Sequence, residues 1–365
     1  MAKIIAAGHI CLDIIPEFAE RTRELEELMT PGTLTEVGAA VVATGGAVSN
    51  TGQALYRLGE DVVLAAKIGD DEFGQTIRSI LNRAGAGLAD GLIVDSGSTT
   101  SYSVVINPPG VDRIFLHSPG ANHTFGADDI DCEAAADCDL FHFGYPPLMK
   151  RIYEQDGAEL KMIFERMKKQ GVATSLDMTF VDPASSAAQI DWIAFLKNVL
   201  PVTDIFLPSL DEILFMVDRE KYDQLTAEFS GQLVDGVGVE LIEEIGRKLI
   251  DFGVPVVGIK LGRHGYYLRT AADVPGKDER WSNVSCFEAC FAAEVVGTTG
   301  AGDCSIAGFL SAFANGASAE ETLTMAVAAG SASTESLNAT DAIPGRDALR
   351  QRIQDGWVRD PSRFC

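Results

Sequence analysis

Short apolar runs without polar alternation recur along the chain, separated by stretches whose apolar residues fall at helical spacing. The runs are Ile4-Ile5-Ala6-Ala7-Gly8, Val62-Val63-Leu64-Ala65-Ala66, Leu140-Phe141-His142-Phe143, Val172-Ala173-Thr174-Ser175-Leu176, Ile205-Phe206-Leu207 and Val256-Val257-Gly258-Ile259. A strand covered on both faces has this character, because neither set of alternating side chains meets water. Between the runs, Glu159 to Lys169 is amphipathic and stopped by Gly171, and Leu241 to Phe252 is amphipathic and stopped by Gly253. Strand and helix patterns in alternation predict an α/β fold, a parallel sheet with helices on both sides.

Two segments break the rhythm. Residues 14–44 and 93–117 contain strand-like pieces, including Ser103-Val104-Val105-Ile106 and Arg113-Ile114-Phe115-Leu116-His117 around the turn Pro108-Pro109-Gly110. Together they predict a small separate sheet. A cover over a site, a dimer contact and a surface excursion are equally good uses of such an insertion. Asp218 to Gly238 is a further polar insertion to which the pattern gives no function.

Composition narrows the partners. The 365 residues carry 29 Lys and Arg against 53 Asp and Glu, a formal net charge of −24. Nucleic acid and anionic membranes are bound through clustered Lys and Arg, so both are excluded as partners. The seven cysteines are scattered, with no Cys-x-x-Cys and no zinc or disulfide spacing. The expectation is a reduced, cytoplasmic protein without a membrane span.

The segment with chemical content is Gly297-Thr298-Thr299-Gly300-Ala301-Gly302-Asp303-Cys304, a glycine-rich turn running into Ser305 to Asn315, where Ile306, Phe309, Leu310 and Phe313 keep helical spacing. Glycines let the backbone approach a ligand, and the free N–H groups of a first helical turn form an anion site. An Asp there opposes an anion unless it removes a proton from an attacking hydroxyl. A bare Gly-x-Gly-Asp reads more readily as an ordinary helix start with a first-turn acid. The context changes that reading.

Thr-x-Gly-Ala-Gly-Asp near the C-terminus resembles the second signature of the ribokinase-like (PfkB) family of carbohydrate kinases, and four further blocks resemble that family in order. Gly8-His9-Ile10-Cys11-Leu12-Asp13 looks like its first strand with the Asp that holds sugar hydroxyls. Gly45-Gly46-Ala47-Val48-Ser49-Asn50, opening a helix over Thr51 to Leu58, resembles its first signature. Lys67 to Gly74 is similar to its Gly-x-Asp-x-x-Gly turn, and Lys260-Leu261-Gly262-Arg263-His264-Gly265 to its nucleotide loop.

The resemblance implies a three-layer α/β/α core with a mostly parallel sheet (residues 1–13, 45–92 and 118–365) and a small β-sheet lid (14–44 and 93–117). It implies an ATP- and Mg2+-dependent kinase acting on a hydroxyl of a small sugar. Asp303 would be the general base, and Gly300, Ala301 and Gly302 would supply an anion hole through their N–H groups. Asp13, Gly45, Gly46 and Asn50 would bind the sugar. Ser209, Glu212, Lys260, Gly262 and Gly265 would serve the nucleotide, with Glu212 toward magnesium. A homodimer through the lid is the implied protein partner.

Three positions depart from the family pattern. Gly297 stands where an Asp commonly helps bind a monovalent cation, which weakens the case for that ion. Ser209 replaces the Asn of an Asn-x-x-Glu motif, and Met178-Thr179-Phe180 follow Leu176-Asp177 where an Asn and an Arg are frequent. A nucleoside kinase of the same fold and a sugar- or nucleotide-sensing protein with weakened catalysis are the alternatives. The acidity of the chain also bears on the acceptor. ATP held by backbone N–H groups and magnesium needs few basic side chains, whereas a phosphorylated acceptor wants a cluster of its own, for which Arg21, Arg23 and Arg113 are the candidates.

Overall fold

The computed structural model describes residues 1–18, 30–108, 113–229 and 232–365. The expected turn at Pro109-Gly110 and the expected Arg21 and Arg23 lie outside the described residues. The chain opens with β1 (Lys3–Gly8), β2 (Cys11–Pro16), β3 (Ala40–Gly45), α1 (Ala47–Arg57), β4 (Asp61–Ala65), β5 (Lys67–Gly69) and α2 (Glu72–Ala84). It continues with β6 (Ile93–Asp95), β7 (Tyr102–Ile106), β8 (Ile114–Ser118), β9 (Leu140–Gly144), α3 (Lys150–Lys169), β10 (Ala173–Leu176), α4 (Trp192–Val199), β11 (Ile205–Phe206) and α5 (Leu210–Val217). The remainder is α6 (Arg219–Glu228), α7 (Val239–Asp251), β12 (Val256–Lys260), β13 (Tyr266–Thr270), β14 (Ser285–Glu288), α8 (Ala301–Ala314), α9 (Ala319–Ser333) and α10 (Arg346–Gln354). Within α3, residues 154–157 leave the helical conformation.

The main sheet has the order β14-β13-β12-β11-β10-β9-β1-β4. Its pairs from β4 to β12 are parallel, and β13 and β14 are added antiparallel at one edge. Each predicted apolar run is one of its strands. Alternate residues enter different cores: Ile5, Phe141, Phe143, Leu176 and Phe206 join the side holding α3, α4, α5 and α7, while Ile4, Leu140, Ile205 and Leu207 join that holding α8 and α9. Both faces are therefore buried, which is why the strands carry no polar alternation. This is the expected three-layer arrangement.

A second, four-stranded sheet has the order β3-β2-β7-β8. The expected hairpin strands are its antiparallel pair β7 and β8, with Ser103 opposite His117. Two details differ from the sequence expectation. Residues 93–95 do not join this sheet; they pair in parallel with Lys67–Gly69 as a separate two-stranded ribbon. Asp13, expected at the end of a core strand, lies inside β2 and belongs to the smaller sheet. The chain leaves the core at Gly8, whose φ of +119° ends β1. A bend then forms in which Asn122 bonds both the N–H and the carbonyl of Ile10, at 3.3 and 2.9 Å. Asp71, after β5, ties the start of α2 to the segment entering the smaller sheet: it caps α2 through the Gly74 N–H and accepts from the Thr100 N–H and hydroxyl at 2.8 and 2.6 Å, just ahead of β7. Among the described residues no helix is long and apolar enough to cross a membrane.

Gly8 gives the first prediction. A Cβ there would stand 2.3 Å from the Gly144 carbonyl oxygen, in a backbone conformation that L side chains rarely adopt. Gly8→Ala is expected to lower stability by about 1–3 kcal/mol from backbone strain alone, read as a lower urea midpoint at unchanged slope.

Candidate active site

The functional side chains gather at the carboxyl ends of the parallel strands, where an open α/β sheet offers a crevice. The centre is the start of α8. Gly300 takes φ +72° and precedes the first helical residue, so the turn needs a residue without a side-chain penalty there. A Cβ on Gly300 would also stand 2.5 Å from the Ala339 Cβ. The first intrahelical bond runs from the Cys304 N–H to the Gly300 carbonyl, 2.8 Å. The N–H groups of residues 301 to 303 therefore have no acceptor within the helix. That of Ala301 donates to the Thr298 carbonyl at 3.3 Å, so of the expected donors it is turned back onto the chain.

Asp303 is buried, yet its carboxylate is fully engaged. Asn50 Nδ2 donates to Oδ2 at 2.8 Å, and the Tyr145 hydroxyl reaches Oδ1 and Oδ2 at 2.8 and 3.0 Å. Burial pushes its pKa up, and the Asn50 bond, the Lys260 charge and the Tyr145 bond pull against that. Tyr145 itself is held proton-bearing by burial and by the Asp303 and Asp177 charges. It stands at the end of β9 with φ +64°, after Gly144, where a Cβ would be 2.1 Å from that of Ala47.

Lys260, at the end of β12, lies behind the turn. Its Nζ is 2.7 Å from Asp177 Oδ1 and 4.0 Å from Glu212 Oε2. Burial works against the ammonium, and the two carboxylates overcome it, so its pKa is raised. For Asp177, burial pushes the carboxyl up while Lys260 pulls it down, and Glu212 and Asp303 add to the upward push. Glu212 and Ser209 form a capping box at the start of α5: Glu212 Oε2 accepts the Ser209 N–H at 2.7 Å, and Ser209 Oγ accepts the Glu212 N–H at 3.3 Å. The helix-start role of Glu212 and its place beside Lys260 thus coexist.

Two cavities meet at this turn. One, of about 670 Å³, is walled by His9, Cys11, Asp13, Gly46, Asn50, Ser103, Arg113, His117, Tyr145, Thr299, Gly300 and Asp303 among others. The other, of about 360 Å³, is walled by Lys260, Gly262, Gly265, Tyr266, Phe291, Thr298, Ala301, Gly302 and Ser305 among others. Gly45 adjoins the first through Asp13, since a Cβ on it would lie 2.1 Å from Asp13 Oδ2. Burial raises the Asp13 pKa, against hydrogen bonds from Cys11 and Ser103. The residues expected to hold the sugar therefore share one cavity, and Lys260, Gly262 and Gly265 share the other. Ser209 and Glu212 line neither; they stand behind Lys260.

The profile of the pfkB family carbohydrate kinases matches residues 1–346. This chain belongs to the pfkB carbohydrate kinase family. It is accordingly a phosphotransferase with an alcohol group as acceptor. "Probable fructokinase-5" of Arabidopsis thaliana is 26% identical over 355 residues, 93% of this chain and 94% of the relative. An uncharacterized sugar kinase of Archaeoglobus fulgidus is 27% identical over 73% of this chain and 88% of its own. Arabidopsis thaliana ribokinase, solved with ribose and ATP, superposes with a TM-score of 0.72 at 21% identity, covering 97% of this chain and 99% of that one.

One residue beside the turn escapes a reading by sequence, and another takes a place there that the sequence did not give it. Tyr145 touches the catalytic-base candidate, and its only signal is position: Gly144-Tyr145-Pro146-Pro147 follows a buried strand at the edge where ligands bind. Arg113, read from the sequence as a candidate for an acceptor phosphate, bonds the hydroxyls of Thr299 and Thr298 and so bridges the smaller sheet to the pfkB signature. Of the histidines, His142 is structural: it is fully buried within β9, lines neither cavity, and burial takes its pKa down to about 3. His9 and His117 do line the larger cavity; burial lowers both, His117 to about 4, so they are neutral at pH 7. At Gly297 the N–H is bonded to the Thr334 carbonyl and no carboxylate is present.

Lys260→Met is expected to destabilise the fold by about 3–5 kcal/mol, because it strands the buried Asp177 carboxylate and removes the charge beside partly buried Glu212. Their pKa values would rise, so the deficit should shrink as pH falls, and Asp177→Asn in the same chain should recover part of it. Urea unfolding of the single and double variants at two pH values measures both effects.

Proposed function

We propose that this chain transfers the γ-phosphoryl group of ATP to a hydroxyl of an uncharged small sugar, with Asp303 as general base. The observation that carries the reading is that one turn walls both cavities, with Thr299, Gly300 and Asp303 on the larger side and Thr298, Ala301 and Gly302 on the smaller. A hydroxyl in the larger cavity gives its proton to the Asp303 carboxylate, its oxygen bonds to the γ-phosphorus, and the bond from that phosphorus to ADP breaks. The N–H groups of Gly302 and Asp303, at the positive end of α8, take up charge on the phosphoryl oxygens. Asn50 and Tyr145 fix the carboxylate, and the smaller sheet, carrying Asp13 and Arg113, covers the acceptor against water.

The residues present fit a magnesium ion. Asp177, Glu212 and Asp303 share a single Lys260, and Asp177 Oδ2 is buried with no hydrogen-bond partner. Asp177 and Glu212 would hold the ion, directly or through water, and when bound it would neutralise charge on the phosphate oxygens. Acceptor charge follows from the cavity: Asp13, Asp182 and Asp303 stand against Arg113 among its described lining residues, and Arg113 is engaged at the signature turn. A neutral polyol suits such a wall better than a sugar phosphate. Val41, Val42 and Leu116 are exposed on the smaller sheet and support a homodimer through it. Seven free cysteines support a cytoplasmic setting.

Asp303→Asn is expected to lower turnover by about 10²–10⁴-fold with ATP affinity kept, measured by ADP release and by calorimetry; near-full activity would remove Asp303 from the base role. ADP release over sugars, sugar acids, sugar phosphates and nucleosides tests the acceptor, and a preferred sugar phosphate or nucleoside would overturn it. Turnover should also fall as pH drops through the raised pKa of Asp303. Tyr145→Phe removes a bond that favours the carboxylate, so the acid limb of kcat should move to higher pH, a shift that lost packing alone would not produce.

A further inference from the structure

The larger cavity contains a cluster that phosphoryl transfer does not use. His9, in the bend after β1, and His117, in β8, face each other with their Nε2 atoms 3.4 Å apart. The Cys11 sulfur completes a triangle in which all three ligand atoms lie within 4.8 Å of one another. With Zn–N bonds of about 2.0–2.1 Å, two imidazole nitrogens on a tetrahedral zinc stand about 3.4 Å apart. Between two neutral imidazoles meeting nitrogen to nitrogen there is room for one proton, whereas a cation uses both lone pairs.

The surroundings match those of a metal site. His117 Nδ1 is 3.0 Å from Ser103 Oγ, which fixes its ring with Nε2 turned toward His9, the role outer partners play for metal-bound imidazoles. Cys11 Sγ donates to Asp13 Oδ1 at 3.3 Å, a bond that gives way when a metal takes the place of the thiol proton.

We propose that His9, Cys11 and His117 bind one Zn2+ ion, with the fourth position open to the acceptor cavity. Two imidazoles and a thiolate select zinc over magnesium, whose preference is for oxygen. Binding releases the Cys11 thiol proton to solvent. Cys11 and His117 belong to the smaller sheet and His9 to the connection from the core, so the ion fastens cover to core. It occupies space beside Asp13, and zinc and the acceptor therefore compete.

Cobalt(II), a spectroscopically visible stand-in for zinc, tests this on the reduced full-length chain without nucleotide or acceptor. One equivalent should give a thiolate-to-cobalt charge-transfer band with the intense visible bands of tetrahedral coordination, and Zn2+ should displace both. Cys11→Ser should abolish the charge-transfer band, His117→Gln should weaken cobalt binding at least tenfold, and Cys286→Ser, outside the cavity, should change nothing. Zn2+ should raise the unfolding midpoint of the parent chain and not that of His117→Gln. Absence of the band in the parent chain, or its persistence in Cys11→Ser, overturns the site; if Cys11→Ser does not fold, an unchanged cobalt affinity in His117→Gln does so. The readout needs no turnover, so failure of the kinase reading and failure of the zinc site are separate results.

Discussion

Two buried carboxylates, those of Asp177 and Asp303, and the partly buried one of Glu212 share the single ammonium of Lys260, and the carboxyl edge of the sheet is arranged around that imbalance. Each group comes from a different element: Asp177 follows β10, Lys260 ends β12, Glu212 opens α5 and Asp303 opens α8. None would be tolerated alone in an apolar interior, since an isolated buried charge costs several kcal/mol. Here every one is tied to a backbone N–H, a hydroxyl, an amide or the lysine, and the residual negative charge makes the place attractive to a cation. A phosphate held by helix-end N–H groups would need no basic surface, so the overall acidity of the chain does not oppose such a ligand.

The smaller sheet is joined to the core by packing, with Leu12 and Tyr102 in one apolar cluster with Ala6, Val48, Leu64 and Ile77, and by a few polar ties. The bend at His9 and Ile10, held by Asn122, leads into β2, and Asp71 clamps Thr100 before β7. Arg113 then bonds back to Thr298 and Thr299 from the start of β8. Residues contributed by this sheet reach the signature turn from the side opposite the core, and they enclose the larger cavity between them.

The strands of the main sheet were legible because burial on both faces removes the polar alternate. The turn at Gly300 to Asp303 was legible only in company: alone it reads as an ordinary helix start with a first-turn acid, and four further blocks in family order changed that reading. What stayed hidden depended on where residues lie in space. Tyr145 is one aromatic after one strand, and nothing local says that it meets a residue 158 positions away. Asp13 reads as the end of the first strand because the bend at Gly8 to Ile10 has no proline or run of polar residues to mark it. Residues 93–95 pair with Lys67–Gly69 through backbone bonds, which any strand-forming sequence can supply. The polar insertion at 218–238 contains α6 and brings Asp235 to Arg263 and His264 at 2.7 and 2.9 Å, bracing the loop beside the smaller cavity. Charges separated by nearly thirty residues carry no signal of their partnership.

The wall between the two cavities is a single glycine-rich turn, and the residues lining one are distinct from those lining the other. The two chambers touch through that turn and through the charge that Lys260, on the smaller side, sets against Asp303, on the larger, so a change in either is felt on both sides at once.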